Sequence, residues 1–319
     1  MRADDQKSDR ACILDFGSRI TRTLVRTSYG SATESPVNNE PKIMSIAPSF
    51  NCMLKCEGCY LTTDVTKEMR DATVDMDYWE KAMNLAVKHG YEELAMTLNP
   101  FPGAIEQTIE LAKMAKAVGF KSVNVTVTWD EKLDWENQIR ELIPHIDVLS
   151  ESIDENRNTI MDNDFILSNP HVHYNINLLW SVKFFEKVLE GENLSLALQS
   201  LEVRKPLVDQ GITTTVQHLI MKPLSLYGNV EQFMSDYDKV LNTIPIAGDG
   251  KYHVGDVAFG NMMGLNDCPG GRMLDIDPMG FARRCPENPS SFDANNIEDL
   301  ESLLISGAPG CDGPCDCIA

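Results

Sequence analysis

Short apolar runs alternate with helical stretches from Lys42 onward, and this alternation is the feature that most constrains the fold. Strands that alternate with helices indicate βαβ units, in which the strands pair in parallel. About six such units predict an α/β protein with a partial (β/α)6 barrel of the TIM type. We expect the six strands at residues 43–47, 93–98, 122–128, 146–150, 172–179 and 213–220. A seventh apolar run follows at residues 253–259.

Helices are expected between these strands. A helix that begins at Asp77, with Glu80 three residues later in the manner of a capping box, should end before Gly90. Residues 104–118 carry apolar side chains at helical spacing and are followed by Gly119. Further helices are predicted at residues 135–142, 194–208 and 230–241. In barrels of this kind the chemistry lies at the carboxyl ends of the strands.

Three cysteines stand close together directly after the first predicted strand. Residues 51–60 read NCMLKCEGCY and place Cys52, Cys56 and Cys59 in a C-x3-C-x2-C arrangement. Cysteine thiolates hold iron–sulfur clusters, and a cubane cluster has four irons. Three ligands for four irons leave one iron open, and an open metal position is where substrate chemistry takes place.

A zinc site or a set of buried structural cysteines is the alternative interpretation of this loop. Zinc sites favour CxxC pairs with a fourth cysteine or histidine nearby. The next histidine here is His89 and the next cysteine is Cys268, so no fourth ligand follows within a short loop. The spacing therefore favours an iron–sulfur cluster.

The cysteine motif and its place after the first strand resemble the radical S-adenosylmethionine (SAM) superfamily, over about residues 43–259. The resemblance implies a six-stranded partial barrel and a 4Fe–4S cluster on Cys52, Cys56 and Cys59. It also implies that the open iron chelates the amino and carboxylate groups of SAM. Reductive cleavage of SAM would give a 5′-deoxyadenosyl radical, which removes hydrogen from a substrate C–H bond.

The same resemblance suggests further residues around SAM. Members of the superfamily carry a Gly-Gly-Glu-Pro motif after strand two, where this chain reads TLNP, so Asn99 is the candidate contact for the amino group. The sequence LSESID resembles an S-x-D stretch that contacts the ribose, which makes Ser150 and Ser152 candidates. Asn175 and Asn177 alternate along strand five and should face one side. Facing inward they would meet SAM or substrate, and facing outward they would be solvated.

Five of the nine cysteines lie in the last fifty or so residues. The sequence CPGGRMLDIDPMGFARRC predicts a β-hairpin that brings Cys268 and Cys285 together. The tail GCDGPCDCIA adds Cys311, Cys315 and Cys317. This region resembles the SPASM module and its shorter relative, the twitch domain. We expect one auxiliary 4Fe–4S cluster on Cys268, Cys285 and two of the tail cysteines, although four thiolates suit zinc as well.

These motifs divide the chain into three predicted parts. Residues 1–40 form an N-terminal extension, residues 41–260 the radical SAM partial barrel, and residues 261–319 the small cysteine-rich hairpin module with the auxiliary cluster. The cations near that module, Arg283 among them, are expected to be solvated.

Bulk composition limits the classes of function. The net charge of −20 argues against direct binding to nucleic acid, since nucleic-acid binders usually present a basic face. No apolar stretch approaches the length of a membrane span, and the N-terminus lacks the apolar core of a secretory signal, so we expect a cytoplasmic protein. Nine cysteines in a reducing compartment favour metal binding over disulfides.

The expected reaction needs a flavodoxin- or ferredoxin-like electron donor. Its substrate is expected to be a peptide or protein side chain, with the auxiliary cluster as electron acceptor or substrate anchor. Chemistry on a small molecule or on a nucleoside or nucleic-acid base is the alternative. A non-catalytic iron–sulfur or zinc protein is a more distant one.

Overall fold

A largely parallel β-sheet organises the protein. The structure, a computed structural model, describes residues 41–54, 65–128, 135–154, 161–190, 207, 214–220, 227–229, 232–233, 235–236, 253–254, 273–283 and 294–306. The strands in these ranges are β1 (Lys42–Ile46), β2 (Tyr91–Thr97), β3 (Ser122–Val127), β4 (Val148–Ile153), β5 (His173–Trp180), β6 (Thr214–Ile220), β7 (His253–Val254), β8 (Met273–Ile276) and β9 (Ala282–Arg283).

The spatial order of these strands is β7–β6–β5–β4–β3–β2–β1–β8–β9. Strands β1 to β7 therefore lie in sequence order, and each pairs in parallel with the next. Right-handed crossovers that always step in the same direction place their helices on one face of the sheet. This is the strand order of a TIM-like or partial barrel, and it confirms the predicted parallel α/β architecture.

The described helices are α1 (Lys67–Asp71), α2 (Met76–Lys88), α3 (Ala104–Val118), α4 (Trp135–Leu142), α5 (Asn163–Leu167), α6 (Val182–Leu189) and α7 (Ile297–Ser306). Helix α3 matches its prediction. The predicted start of α2 is wrong, because the helix is capped by Asp75, whose carboxylate accepts a hydrogen bond from the Tyr78 amide at 2.9 Å. The predicted helices at 194–208 and 230–241 and the extension at 1–40 fall wholly or largely outside the described residues.

The two faces of the sheet differ in polarity. Met44, Leu94 and Val123 point from β1, β2 and β3 to one side, where they pack in the core with Trp79 of α2 and Leu111 of α3. All five side chains are fully buried. The opposite face carries polar side chains at the alternate positions of the same strands and of β4 and β5, among them Ser45, Thr97, Asn124, Ser150 and Asn175. The alternation therefore separates a helix-covered core from a polar face.

Strands β8 and β9 form the predicted hairpin and pair antiparallel. Strand β8 also pairs in parallel with β1, so that Met44 lies opposite Leu274 and Ile46 opposite Ile276. The hairpin thus extends the main sheet beside β1, with its turn at the carboxyl edge; β8 begins level with Ile43, and β9 ends level with Ser45. The proposed domain boundary at residue 260 remains a prediction. In the ranges described, no helix is both long and apolar enough to cross a membrane.

Candidate functional site

The carboxyl end of β1 continues into the first part of the cysteine loop. Within residues 47–54 the Asn51 amide donates to Ser49 Oγ at 3.0 Å. The Met53 amide donates to the Pro100 carbonyl at 3.0 Å and so fastens the loop to the chain after β2. Cys52 lies between these two contacts and is half-buried. The predicted ligands Cys56 and Cys59 lie outside the described residues.

Asn99 joins the ends of β1 and β2. Its Nδ2 atom donates to the Ser49 carbonyl at 2.8 Å, which leaves Oδ1 as the acceptor of the amide. A narrow crevice at this point, between the loop after β1 and the start of α3, is lined by Pro48, Ser49, Thr97, Asn99, Phe101 and Gln107, with others. Asn99 therefore lies beside the entry to the cysteine loop, as its motif position predicts.

A row of hydrogen-bonded polar side chains crosses β3, β4 and β5. Ser150 Oγ donates to Asn124 Oδ1 at 3.0 Å and accepts from Asn175 Nδ2 at 3.2 Å. Asn175 Nδ2 also donates to Asn177 Oδ1 at 2.7 Å. Ser152 lies opposite Asn177 in the register, nearer the carboxyl edge, and is half-buried. The prediction that Asn175 and Asn177 share a face is confirmed, and that face is the polar one.

The crevice and the polar row lie on neighbouring parts of the sheet. The polar row begins at Asn124 on β3, the strand next to β2, and because adjacent strands stand about 4.8 Å apart, its β5 members lie roughly 14 Å from β2 across the sheet. Their contact with SAM remains a prediction. Within the described part of the chain, no three metal-binding side chains lie together.

Sequence reasoning missed Asn124, the first member of the polar row. It stands between Val123 and Val125 in a strand with clear alternation, which is the feature that predicts its place on the polar face. The hydrogen bond between Asn124 and Ser150 could not be predicted from the sequence, because it depends on the register of β3 against β4. That register pairs Thr126, not Asn124, directly with Ser150, so the Ser150–Asn124 bond runs diagonally.

The expectation that Arg283 is a solvated cation is wrong. Its Nε donates to Asp275 Oδ2 at 2.9 Å and its Nη2 lies 2.7 Å from the same atom. Both side chains are almost completely buried, at 3% and 5% exposure. Asp275 lies opposite Ser45 of β1, so this ion pair belongs to the polar face of the sheet. Burial of a charged guanidinium requires such a partner.

Two groups with raised pKa values meet at the hairpin turn, Asp277 of the turn and Tyr78 of α2. Burial raises the pKa of the Asp277 carboxyl, and hydrogen bonds from the Phe281 and Met279 amides oppose that shift. Burial, and secondly the negative charge of Asp277, raise the pKa of Tyr78 to about 12. The Tyr78 hydroxyl is therefore a stable hydrogen-bond donor at neutral pH. The predicted ligands Cys268, Cys285, Cys311, Cys315 and Cys317 lie outside the described residues.

No protein-family model matches the chain, and no curated protein matches it significantly. Among solved structures, the chain is similar to hexahistidine-tagged anSMEcpe with bound AdoMet, with a TM-score of 0.50, 15% identity, and coverage of 83% of this chain and 80% of that chain. Native anSMEcpe with bound AdoMet gives a TM-score of 0.47 at the same identity and coverage.

A putative dihydrodipicolinate synthase family protein from Coccidioides immitis gives a TM-score of 0.31 at 13% identity, over 86% of this chain and 89% of that chain. Of these three similarities, the one at a TM-score of 0.50 is informative, and at its low identity it shows the fold alone. The chain is an α/β protein whose fold resembles that of a protein solved with bound AdoMet.

Proposed function

We propose that this protein is a radical SAM enzyme. The observation that carries the proposal is the position of Cys52, the first cysteine of the C-x3-C-x2-C motif. It lies at the carboxyl edge of a parallel sheet, in the loop after β1 that also lines the narrow crevice at Asn99. In parallel α/β barrels this edge is where catalytic groups and cofactors are bound. The structural neighbour anSMEcpe binds AdoMet, the cofactor that the motif implies.

The described residues fit a 4Fe–4S cluster. A thiolate is a soft ligand of the kind that such clusters require, and half-burial of Cys52 gives partial shielding from solvent together with access. The hydrogen bond from the Met53 amide to Pro100 fixes the backbone next to this thiolate. Cys56 and Cys59 would supply the other two ligands.

The polar face supplies groups suited to the two ends of SAM. Asn99 Oδ1 would accept a hydrogen bond from the amino group, because its Nδ2 is held by the Ser49 carbonyl. Ser150 and Asn175 are buried within the polar row, and Asn175 would orient Asn177 through their hydrogen bond. Asn177 and Ser152 lie nearer the carboxyl edge and would meet the ribose. Cluster and SAM together supply a 5′-deoxyadenosyl radical, which abstracts hydrogen from a C–H bond.

The direction of the β8–β9 hairpin supports a separate place for an auxiliary cluster. Cys268 precedes β8, which begins level with Ile43 near the amino edge of the sheet, and Cys285 follows β9, which runs toward that edge. The four residues of β8 span about 13 Å. We propose one auxiliary 4Fe–4S cluster at this end, on Cys268, Cys285 and two of the three tail cysteines, as electron acceptor or substrate anchor.

Cleavage of SAM tests the proposed reaction directly. The protein is reconstituted with iron and sulfide without oxygen, reduced with dithionite, and assayed for 5′-deoxyadenosine and methionine. Cys52→Ala should abolish both products because the cluster loses a ligand. Cys12→Ala, a cysteine outside both groups, should retain them. Equal cleavage by parent and Cys52→Ala would contradict the proposal.

A peptide or protein side chain is the proposed substrate, with a flavodoxin- or ferredoxin-like protein as electron donor. The net charge of −20 disfavours the backbone of a nucleic acid as a binding partner. In the SAM assay, a random peptide pool should raise 5′-deoxyadenosine formation and acquire a mass change by mass spectrometry. Stimulation by a metabolite or nucleoside mixture, with the peptide pool inert, would favour the small-molecule alternative.

A further inference from the structure

The turn between β8 and β9, residues 277–280, contacts both ends of the cysteine loop. Because β8 runs parallel to β1, this hairpin turn lies at the carboxyl edge of the sheet, where the loop begins. Residues 47–50 lead into the loop, and residues 65–74 follow it. The two segments are separated in sequence by all three cysteines, and the hairpin turn contacts both.

The contact with the loop entry is made by backbone and side chain. The Ala47 amide donates to the Ile276 carbonyl at 3.2 Å and prolongs the pairing of β1 with β8. The side chain of Met279 packs against Ala47 and Phe50, which are both buried. The first residues after β1 are thus held by the hairpin over a stretch that ends just before Cys52.

The same turn holds the segment after the loop. Val65, and Met69 of α1, pack against the same buried pair, Ala47 and Phe50, that Met279 packs against. The Val74 amide donates to the Pro278 carbonyl at 2.9 Å. The hairpin turn therefore contacts the chain on both sides of the loop, through Met279 before it and through the Pro278 carbonyl after it.

The shape of the hairpin turn is strongly determined. Asp277 Oδ1 accepts from the Met279 amide at 2.9 Å and from the Phe281 amide at 3.0 Å. Gly280 has a φ of 81°, and its carbonyl accepts from the Tyr78 hydroxyl at 2.7 Å. A Cβ atom at position 280 would lie 2.8 Å from Val74 Cγ1 and 2.9 Å from Tyr78 Cζ. The turn is thus fixed internally and pressed against the start of α2.

We propose that the hairpin turn is a clamp that positions the three-cysteine loop, with Met279 as the positioning residue. The identity of the metal group that this clamp would position rests on the proposed function. Fixing both ends of a loop lowers the entropy lost when its side chains converge on one centre. A metal site also requires its ligands to be held by a rigid supporting shell. The C-terminal hairpin therefore takes part in building the N-terminal cluster site.

Hydrogen exchange on the metal-free full chain tests the clamp independently of any cofactor. Met279→Ala should increase amide exchange in residues 47–54 and 65–74, because the apolar cluster to which both segments contribute loses a packing partner. Met279→Leu, which keeps the apolar contact, should resemble the parent. Met114→Ala, the same truncation at a partly buried methionine of α3, is the matched control and should leave both segments unchanged. If Met279→Ala and Met114→Ala behave alike, the clamp is disproved.

The reconstituted protein gives the second readout. In Met279→Ala, the KM for SAM should rise about tenfold, and the change that SAM causes in the EPR spectrum of the reduced cluster should broaden, since a misplaced centre binds its ligand in several geometries. Met279→Leu should restore both properties. Unaltered KM and EPR response in Met279→Ala would overturn the positioning role.

The two proposals fail in different ways. Lack of iron in the parent protein would refute the proposed function, while the exchange experiment would still decide whether the clamp exists. If Met279→Ala does not fold, Tyr78→Phe replaces it, because it removes only the hydrogen bond to the Gly280 carbonyl. It should increase exchange in residues 65–74, and unchanged exchange there would count against the clamp.

Discussion

Asn99 connects the strand ends that flank the cysteine loop. Its Nδ2 donates to the Ser49 carbonyl, and its Oδ1 is the atom that we propose accepts a hydrogen bond from the amino group of SAM. The superfamily motif that this position resembles has a glutamate, which binds an ammonium with charge assistance. A neutral amide gives a weaker bond whose strength does not depend on ionisation of the residue. Asn99 is thus the residue at which this site departs most from the motif.

Asn99→Ala should raise the KM for SAM by roughly 10- to 100-fold with a smaller effect on kcat, since a hydrogen bond to a charged group is worth about 1.5–3 kcal/mol. Initial rates of 5′-deoxyadenosine formation at varied SAM concentration measure this. Asn84→Ala is the control, because Asn84 donates to a backbone carbonyl on the exposed side of α2. A KM equal to that of the parent would remove Asn99 from the site.

Gly280→Ala should lower the free energy of unfolding by about 2–5 kcal/mol. A left-handed backbone costs an alanine about 1–2 kcal/mol, and the close approach to Val74 and Tyr78 adds about 1–3 kcal/mol of overpacking. Gly90→Ala is the matched control, with a φ of 83° and nothing within 4 Å of the added Cβ, so strain alone should remain. Urea unfolding measures both variants, and equal losses would show that the turn is not tightly packed.

Ionisation of Asp277 should lower the free energy of unfolding as the pH rises above 3.8, the ordinary pKa of an aspartate. Burial raises the pKa of this carboxyl in the folded state, so the folded chain holds a proton that the unfolded chain has already released. Stability from this group is therefore present at low pH and lost as the pH rises through the folded-state pKa. Asp277→Asn keeps the acceptor oxygen without the charge.

The Asp277→Asn variant should match the parent below pH 3.8 and be more stable than the parent at about pH 7. Urea unfolding at a series of pH values gives the difference between the two proteins. A difference that grows toward low pH, or a variant that is less stable at neutral pH, would show that the charged carboxylate is favoured in the turn.

At the scale of elements, the order of the parallel strands was predictable because each βα unit has local features. Glycines close α3 at both ends, and alternating apolar residues mark β3. Strand limits were less certain: β4 begins at Val148, not Ile146, because the 3-10 helix Ile143–His145 occupies the preceding residues. Short amphipathic helices such as α1 and α5 were missed because they are little more than one turn long.

The place of β8 in the sheet was not predictable from the sequence. Its pairing with β1 joins residues separated by most of the chain, and no local pattern specifies that register. The same is true of the clamp at Met279 and of the buried Asp275–Arg283 pair, whose charged residues are typical of solvated strands. The cysteine motif predicts where the proposed site lies, whereas the contacts around it depend on tertiary structure.

The buried ion pair of the hairpin gives an element-scale prediction. Asp275→Asn should destabilise the protein by about 3–5 kcal/mol, because the buried Arg283 guanidinium loses the carboxylate that neutralises it. Replacing both residues with apolar ones of similar volume should recover much of the loss. Asp77→Asn, at the exposed Lys81–Asp77 pair, should leave the urea midpoint almost unchanged. If Asp275→Asn changes the urea midpoint as little as Asp77→Asn does, the Asp275 and Arg283 charges are solvated.

At the scale of the whole molecule, the two groups of cysteines are linked through one sheet. The first follows β1 at the carboxyl edge, and the second flanks a hairpin whose first strand is the neighbour of β1. The hairpin turn touches the first group's loop, while its ends lead to the second group. The two metal centres that we propose would thus be connected by the β8–β9 hairpin.

The iron content of the anaerobically reconstituted protein is the most direct test of the two proposed clusters. The parent should bind about eight irons per chain, and replacing Cys52, Cys56 and Cys59 with alanine should leave about four and abolish SAM cleavage. Replacing Cys268 and Cys285 should also leave about four, with the SAM-dependent EPR change intact. A colourless parent protein, or SAM cleavage that survives loss of the first three cysteines, would contradict it.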